Sequence, residues 1–170
     1  MNKTVRKMWN SITTALVLIS VIVAFLIVGF KFLGFETYIV LSGSMEPSYP
    51  TGSMIYVRDT DSNELEIGDV ITFKLSGQTI ATHRIIEVVE ESGQRYFRTK
   101  GDANDVEDGS LIPASHVIGT PMFVIPFLGY LASYLQSKSG FYLMIAYGAA
   151  LLLLIMIPEL FPEEKKGDNE

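Results

Sequence analysis

The segment SGSM, Ser42 to Met45, sets a serine among small residues a short way past a long apolar run. A serine hydroxyl is a poor nucleophile until a neighbouring base takes its proton. Two histidines are available for that task, His83 in TIATHRIIEV and His116 in PASHVIG. Carboxylates able to orient a histidine cluster in KGDANDVED, as Asp102, Asp105, Glu107 and Asp108. The groups needed for acyl transfer are therefore present. Each also has an ordinary reading, because Ser and Gly are turn formers and acidic loops are commonly solvated. Taken alone, SGSM is a turn.

Other chemistries find less support. His83, His116 and the carboxylates show no H-x-x-x-H or similar ligand spacing, so no metal is expected, and no cofactor is implied. The formal charge is −6 and no Lys/Arg stripe forms, which argues against a nucleic-acid partner. There are no cysteines, so neither a disulfide framework nor a thiolate site exists.

The elements that must position these residues fall into three parts. Ile12 to Phe30 carries no charge, and as a helix it is about 28 Å long, close to the hydrocarbon thickness of a bilayer. Lys3, Arg6 and Lys7 before it would also suit a cleavable signal peptide. The apolar run is longer than a signal core, however, and VGFKFLGFETY offers no A-x-A site, so it reads as an uncleaved anchor. A second run, Phe141 to Ile157, is about 25 Å as a helix and is bracketed by Lys138 and Glu159. It reads as a second span, with a buried core helix as the alternative. The basic residues ahead of the first span place the N-terminus in the cytoplasm, and two spans return the tail there, with Lys165 and Lys166.

Between the spans, TYIVL, SMIYV, DVITFKL, TIATHRIIEVVE, QRYFRTK and HVIGTPMFV are rich in β-branched and aromatic residues and are separated by turn-forming stretches. This pattern predicts a mainly β, antiparallel domain. Gly109 to Ser137 contains no Asp, Glu, Lys or Arg, and PFLGYLASYLQ has helical spacing of its apolar residues. That segment suits the headgroup region or a core helix packed on the sheet. The expected organisation is a cytoplasmic N-terminus (1–11), a transmembrane anchor (12–33), an extracytoplasmic β catalytic domain (34–126), an interfacial or core helical segment (127–138), a second transmembrane helix (139–158) and a polar tail (159–170).

The ordered blocks SGSMEPSYP, IGDVITF, HRIIEV and TKGDAND resemble the type I signal peptidases, over nearly the whole outer region and in their position after the first span. The HR block resembles the branch of the endoplasmic reticulum, archaea and some spore-forming bacteria, whereas the other bacterial branch carries lysine at that place. The resemblance implies a mainly β, signal-peptidase-like catalytic domain with an N-terminal and a C-terminal transmembrane helix. It implies Ser44 as nucleophile and His83 as general base. Asp102 and Asp108 match the acid block, with Asp108 favoured as the histidine's partner and Asp105 a competitor for the role. Ser42 and the Ser44 N–H match the oxyanion site. Ser48 stands where other members often have Thr, Asp69 reads as a turn residue, and Arg84 reads as a salt-bridge partner.

Exchanging lysine for histidine as base has a physical consequence. Lysine, near pKa 10.4 in general, must be strongly desolvated to act near neutrality, while histidine, near 6.5 in general, needs mainly the correct tautomer and orientation. A carboxylate supplies both. The implied function is removal of N-terminal signal peptides from exported preproteins, with the lipid bilayer and the protein translocon as partners. The implied place is a membrane, the plasma membrane of a prokaryote rather than the endoplasmic reticulum. The alternatives are a non-catalytic, membrane-tethered β module that binds exported proteins, and a self-cleaving protease of related fold. The latter commonly pairs serine with lysine and carries a DNA-binding domain.

Overall fold

The computed structural model describes residues 3–75 and 79–160. The polar tail from 161 onward, with Lys165 and Lys166, and the first two residues of the N-terminal segment lie outside the described residues. The chain divides into two compact units, one formed by residues up to 26 and from 134 onward, the other by residues 27–133.

The first unit is helical. Helix α1 spans Lys3–Val28 and helix α3 spans Lys138–Leu160, and both are long and apolar enough to cross a membrane. Helix α2, Leu128–Gln136, precedes α3 in sequence, and its residues up to 133 belong to the second unit. Pro158 sits inside α3. It has no N–H, so the carbonyl four residues earlier, that of Leu154, loses its intrahelical donor. The indole Nε1 of Trp9 on α1 donates to that carbonyl at 2.8 Å. About two to three turns away, Ser20 Oγ and the Tyr147 hydroxyl lie 2.6 Å apart. The indole thus takes over the bond that the proline removed.

The second unit is a seven-stranded antiparallel sheet. The strands are β1 (Phe35–Ile39), β2 (Met54–Arg58), β3 (Val70–Lys74), β4 (Ile80–Glu91), β5 (Gln94–Lys100), β6 (Ile112–Pro113) and β7 (Val117–Ile125). Their order across the sheet is β1-β2-β7-β3-β4-β5-β6. β7 joins the two halves by pairing with β2 along Thr120–Ile125 and with β3 along Val117–Gly119. The crossing point needs glycine, since a Cβ on Gly119 would lie 2.0 Å from the Arg58 carbonyl oxygen.

Two apolar clusters flank this joint. On one side Phe30, Phe35, Tyr56 and Phe123 pack ring to ring, with Tyr56 and Phe123 stacked at 4.3 Å. On the other, Leu65, Ile71, Phe73, Ile85, Phe97 and Ile112 form a buried core. Side chains alternate faces along a strand, so His83 shares its face with Ile85, while Arg84 leaves from the opposite one. β4 and β5 pair with Ile85 opposite Thr99 and Arg84 opposite Lys100. This register fixes which residues reach the rim of the core beside His83.

Candidate active site

Ser44 lies in the excursion between β1 and β2. The ladder persists past Ile39 by two bonds, from Val40 N–H to Ser53 O and from Gly52 N–H to Val40 O, and the chain then loops out and back. Two tight turns shape the loop, closed by Glu46 N–H to Gly43 O at 3.0 Å and Tyr49 N–H to Met45 O at 2.8 Å. Met45, the residue after the serine, is 2 % exposed and anchors the loop. The excursion is braced by the acidic loop that follows β5. Ala103 N–H donates to the Ser44 carbonyl at 2.9 Å, and Asp102 N–H donates to Met45 Sδ at 3.4 Å.

That contact requires Gly101. A Cβ there would lie 2.6 Å from the Ser44 carbonyl oxygen and 2.7 Å from Asn104 Nδ2. Only a residue without a side chain lets the two loops approach so closely.

His83, on β4 opposite Ile71, bridges the loops. Its Nε2 is 3.2 Å from Ser44 Oγ, and its Nδ1 is 2.6 Å from Asp108 Oδ2. The histidine side chain is 14 % exposed and that of the aspartate 25 %, so bulk water competes weakly for either bond. A carboxylate accepting at Nδ1 places the ring proton there, which leaves the Nε2 lone pair facing the serine hydroxyl. Ser42 Oγ is 3.3 Å from Ser44 Oγ. The Ser44 N–H donates no hydrogen bond among the described residues.

The remaining carboxylates serve other groups. Asp102 receives Arg84 Nε at 2.8 Å, Arg84 Nη2 at 2.7 Å and the Ser48 hydroxyl at 2.8 Å, and makes no hydrogen bond to His83. The bonds from Arg84 hold its carboxyl below the usual carboxylate range against the opposing effect of burial. Arg84 also donates to Gly68 O at 2.8 Å. Glu107 faces Arg98, and Asp69 accepts from Glu66 N–H in its turn. Asp105 is exposed, and its carboxylate takes no partner among the described residues. His116 stands exposed beside a separate hollow lined also by Glu36, Asp59 and Lys74. Among the described residues no group of three or more metal-ligating side chains converges.

Two residues of the site escape a sequence reading. Thr99 is fully buried and donates to Asp108 Oδ2 at 2.6 Å, yet within QRYFRTK it looks like an ordinary strand threonine. Gly101 looks like a turn glycine, and only the packing of two distant loops reveals its role.

Ser44 and His83 border a cleft of about 620 Å³. Its walls include two stretches at strand ends, Val40–Ser42 after β1 and Thr79–Thr82 at the start of β4. A peptide in extended form suits such walls, since backbone groups at strand edges pair with an added strand.

Comparison with known proteins agrees in direction. The family described as signal peptidase, peptidase S26, matches residues 9–96. The chain is 44% identical over 85 residues to signal peptidase I W of Bacillus subtilis, covering 49% of this chain and 45% of that protein. It is 31% identical over 126 residues to the signal peptidase complex catalytic subunit SEC11C of Rattus norvegicus, covering 68% and 66%. It is 30% identical over 135 residues to the signal peptidase complex catalytic subunit SEC11 of Candida dubliniensis, covering 74% and 77%. The matched stretch thus spans under half the length of the Bacillus relative and about two thirds of the rat one.

Proposed function

This chain belongs to the signal peptidase family, peptidase S26, and from that premise we propose that it is a membrane-bound serine endopeptidase that removes N-terminal signal peptides from exported preproteins. The observation that carries the proposal is the line Ser44 Oγ–His83 Nε2–Asp108, with gaps of 3.2 and 2.6 Å. The first gap is within reach of a general base for a hydroxyl proton.

In the proposed reaction His83 Nε2 takes the Ser44 proton as Oγ attacks the carbonyl carbon of the last signal-peptide residue. The oxyanion that forms is held by the Ser44 N–H, with the Ser42 hydroxyl turning from Oγ to join it. The imidazolium then passes its proton to the departing amine, which becomes the N-terminus of the mature protein, and the acyl group stays on Ser44. A water molecule loses a proton to His83, attacks the acyl carbon and releases the signal peptide with Ser44 restored. Asp108 holds the ring tautomer throughout. Asp102 holds the acidic loop through Arg84 and Ser48.

Small residues at −1 and −3 are the proposed substrate signature, since shallow pockets reject branched side chains by steric clash. The two apolar helices would cross a prokaryotic plasma membrane, with the β domain on the outer face, where preproteins leave the translocon. Lys3, Arg6 and Lys7, in the first turns of α1 ahead of its apolar run, support that orientation. The test is incubation of the purified chain with one preprotein, wild type beside Ser44→Ala, read by N-terminal sequencing of the product. A new N-terminus at the signal-peptide junction with wild type alone supports the proposal, and no cut, or equal cutting by both, overturns it.

A further inference from the structure

Asp108 orients the histidine only if something orients Asp108. Its Oδ2 receives two donors, His83 Nδ1 at 2.6 Å and Thr99 Oγ1 at 2.6 Å. Its own N–H donates to the Thr99 carbonyl at 2.8 Å. Oδ1 takes no hydrogen bond among the described residues. Without Thr99 the carboxylate would therefore be fixed solely by the ring it has to align. Its terminal torsion is broad and roughly two-fold by nature, so a single bond leaves the oxygens free to swing.

Thr99 itself is firmly placed. It is 0 % exposed, sits opposite Ile85 on β4, and shares the buried face that carries Phe97 two residues earlier. His83 lies two residues before Ile85, so register alone brings the threonine hydroxyl and the imidazole to the same side. A β-branched side chain has restricted rotamers, which limits where the hydroxyl can point. We propose that Thr99 is a positioning residue for the proposed hydrolysis: its hydroxyl fixes Asp108 Oδ2, and through it the tautomer and aim of His83. This rests on the function proposed above, since a histidine that takes no proton needs no aim.

The test compares Thr99→Val, which keeps the shape and removes the hydroxyl, with Thr99→Ser, which restores a hydroxyl on a smaller side chain. Folded protein of each is confirmed by its thermal transition. Losing a hydrogen bond to a charged group should lower kcat on a preprotein by about tenfold or more, with KM little changed. Thr99→Ser should recover most of the loss. Wild-type kcat in Thr99→Val, or equal losses in both variants, would overturn the proposal.

A second readout does not depend on turnover. His116→Gln leaves His83 as the sole histidine. In ring-15N-labelled protein the Nδ1 proton signal of His83 should move on Thr99→Val and hold on Thr99→Ser. A signal unmoved in Thr99→Val refutes the positioning role. If that signal moves as expected while wild type cuts no preprotein, the hold of Thr99 on Asp108 and His83 stands and the proposed function falls.

Discussion

Arg84 grips Asp102 through two parallel bonds, Nε to Oδ1 at 2.8 Å and Nη2 to Oδ2 at 2.7 Å, and so withdraws that aspartate from the histidine beside it in sequence. Neighbours on a strand leave opposite faces, so His83 and Arg84 each meet a different carboxylate of one loop. The acidic cluster is thereby divided between two tasks, one beside His83 and Ser44 and one in holding the loop.

Asp108→Asn should therefore lower turnover by about 10³-fold or more, because an amide can stabilise the wrong ring tautomer and cannot balance an imidazolium. Asp105→Asn, at an exposed side chain without a partner among the described residues, should leave turnover at the wild-type level. Steady-state cleavage of one preprotein by the two variants decides this, and equal activity would undo the assignment of Asp108.

The pair of Arg84 and Asp102 should appear in the acid stability. The Asp102 carboxyl is held below its usual range chiefly by the Arg84 hydrogen bonds. A carboxyl depressed in this way adds stability that is present above its unfolded value, about 3.9, and is lost as pH falls through the folded value. Arg84→Met should thus lower the thermal midpoint near pH 6, and the gap to wild type should narrow as the pH approaches about 3. A gap of constant size would mean that this ion pair is not its source.

Gly101→Ala tests the close approach of the two loops. The added methyl would meet the Ser44 carbonyl at 2.6 Å, so the loops must part and the bond from Ala103 N–H to Ser44 O must lengthen. Overpacking of this kind costs about 1–3 kcal/mol. The β domain should still fold, while turnover falls by more than the loss of stability explains. Unchanged kcat in the folded variant would show that the contact between the loops does not set the geometry of the serine.

The indole bond between the apolar helices makes a separate prediction. Trp9→Phe should destabilise the helical unit by about 0.6 kcal/mol, the usual size of such a bond in a bilayer. In a Pro158→Ala background the helix regains the N–H that serves Leu154 O, so the same Trp9 substitution should cost less. Unfolding from bicelles measures both, and equal costs would show that Trp9 does not stand in for the missing donor.

Much of the fold could be read from the residues because the strands carry strong local signals. TIATHRIIEVVE and QRYFRTK became the long pair β4 and β5, and SMIYV covers β2 except for Arg58. β6 was invisible, since Ile112–Pro113 is a strand only by virtue of pairing with Tyr96 and Phe97. The apolar spacing after Pro126 indicated a helix, but not its buried face, which falls on Leu128, Gly129 and Ala132. The proline that ends a helix in most sequences lies within α3, where a residue about 150 positions earlier supplies the lost donor. Ser44 and His83 stood out through the order of short blocks. The resemblance already favoured Asp108 over Asp102, but the grip of Arg84 on Asp102 and the bond from the Thr99 hydroxyl to Asp108 form only once the loop has folded back.

Central to the proposed function is a serine made nucleophilic by one imidazole. The most direct measurement is reaction of the folded chain with a small sulfonyl fluoride, followed by mass spectrometry of its peptides, in wild type and in His83→Gln. Modification at Ser44 in wild type, and its near absence in His83→Gln, is the expected result. Labelling of Ser44 at the same rate in both proteins, or of a different serine in wild type, would contradict it.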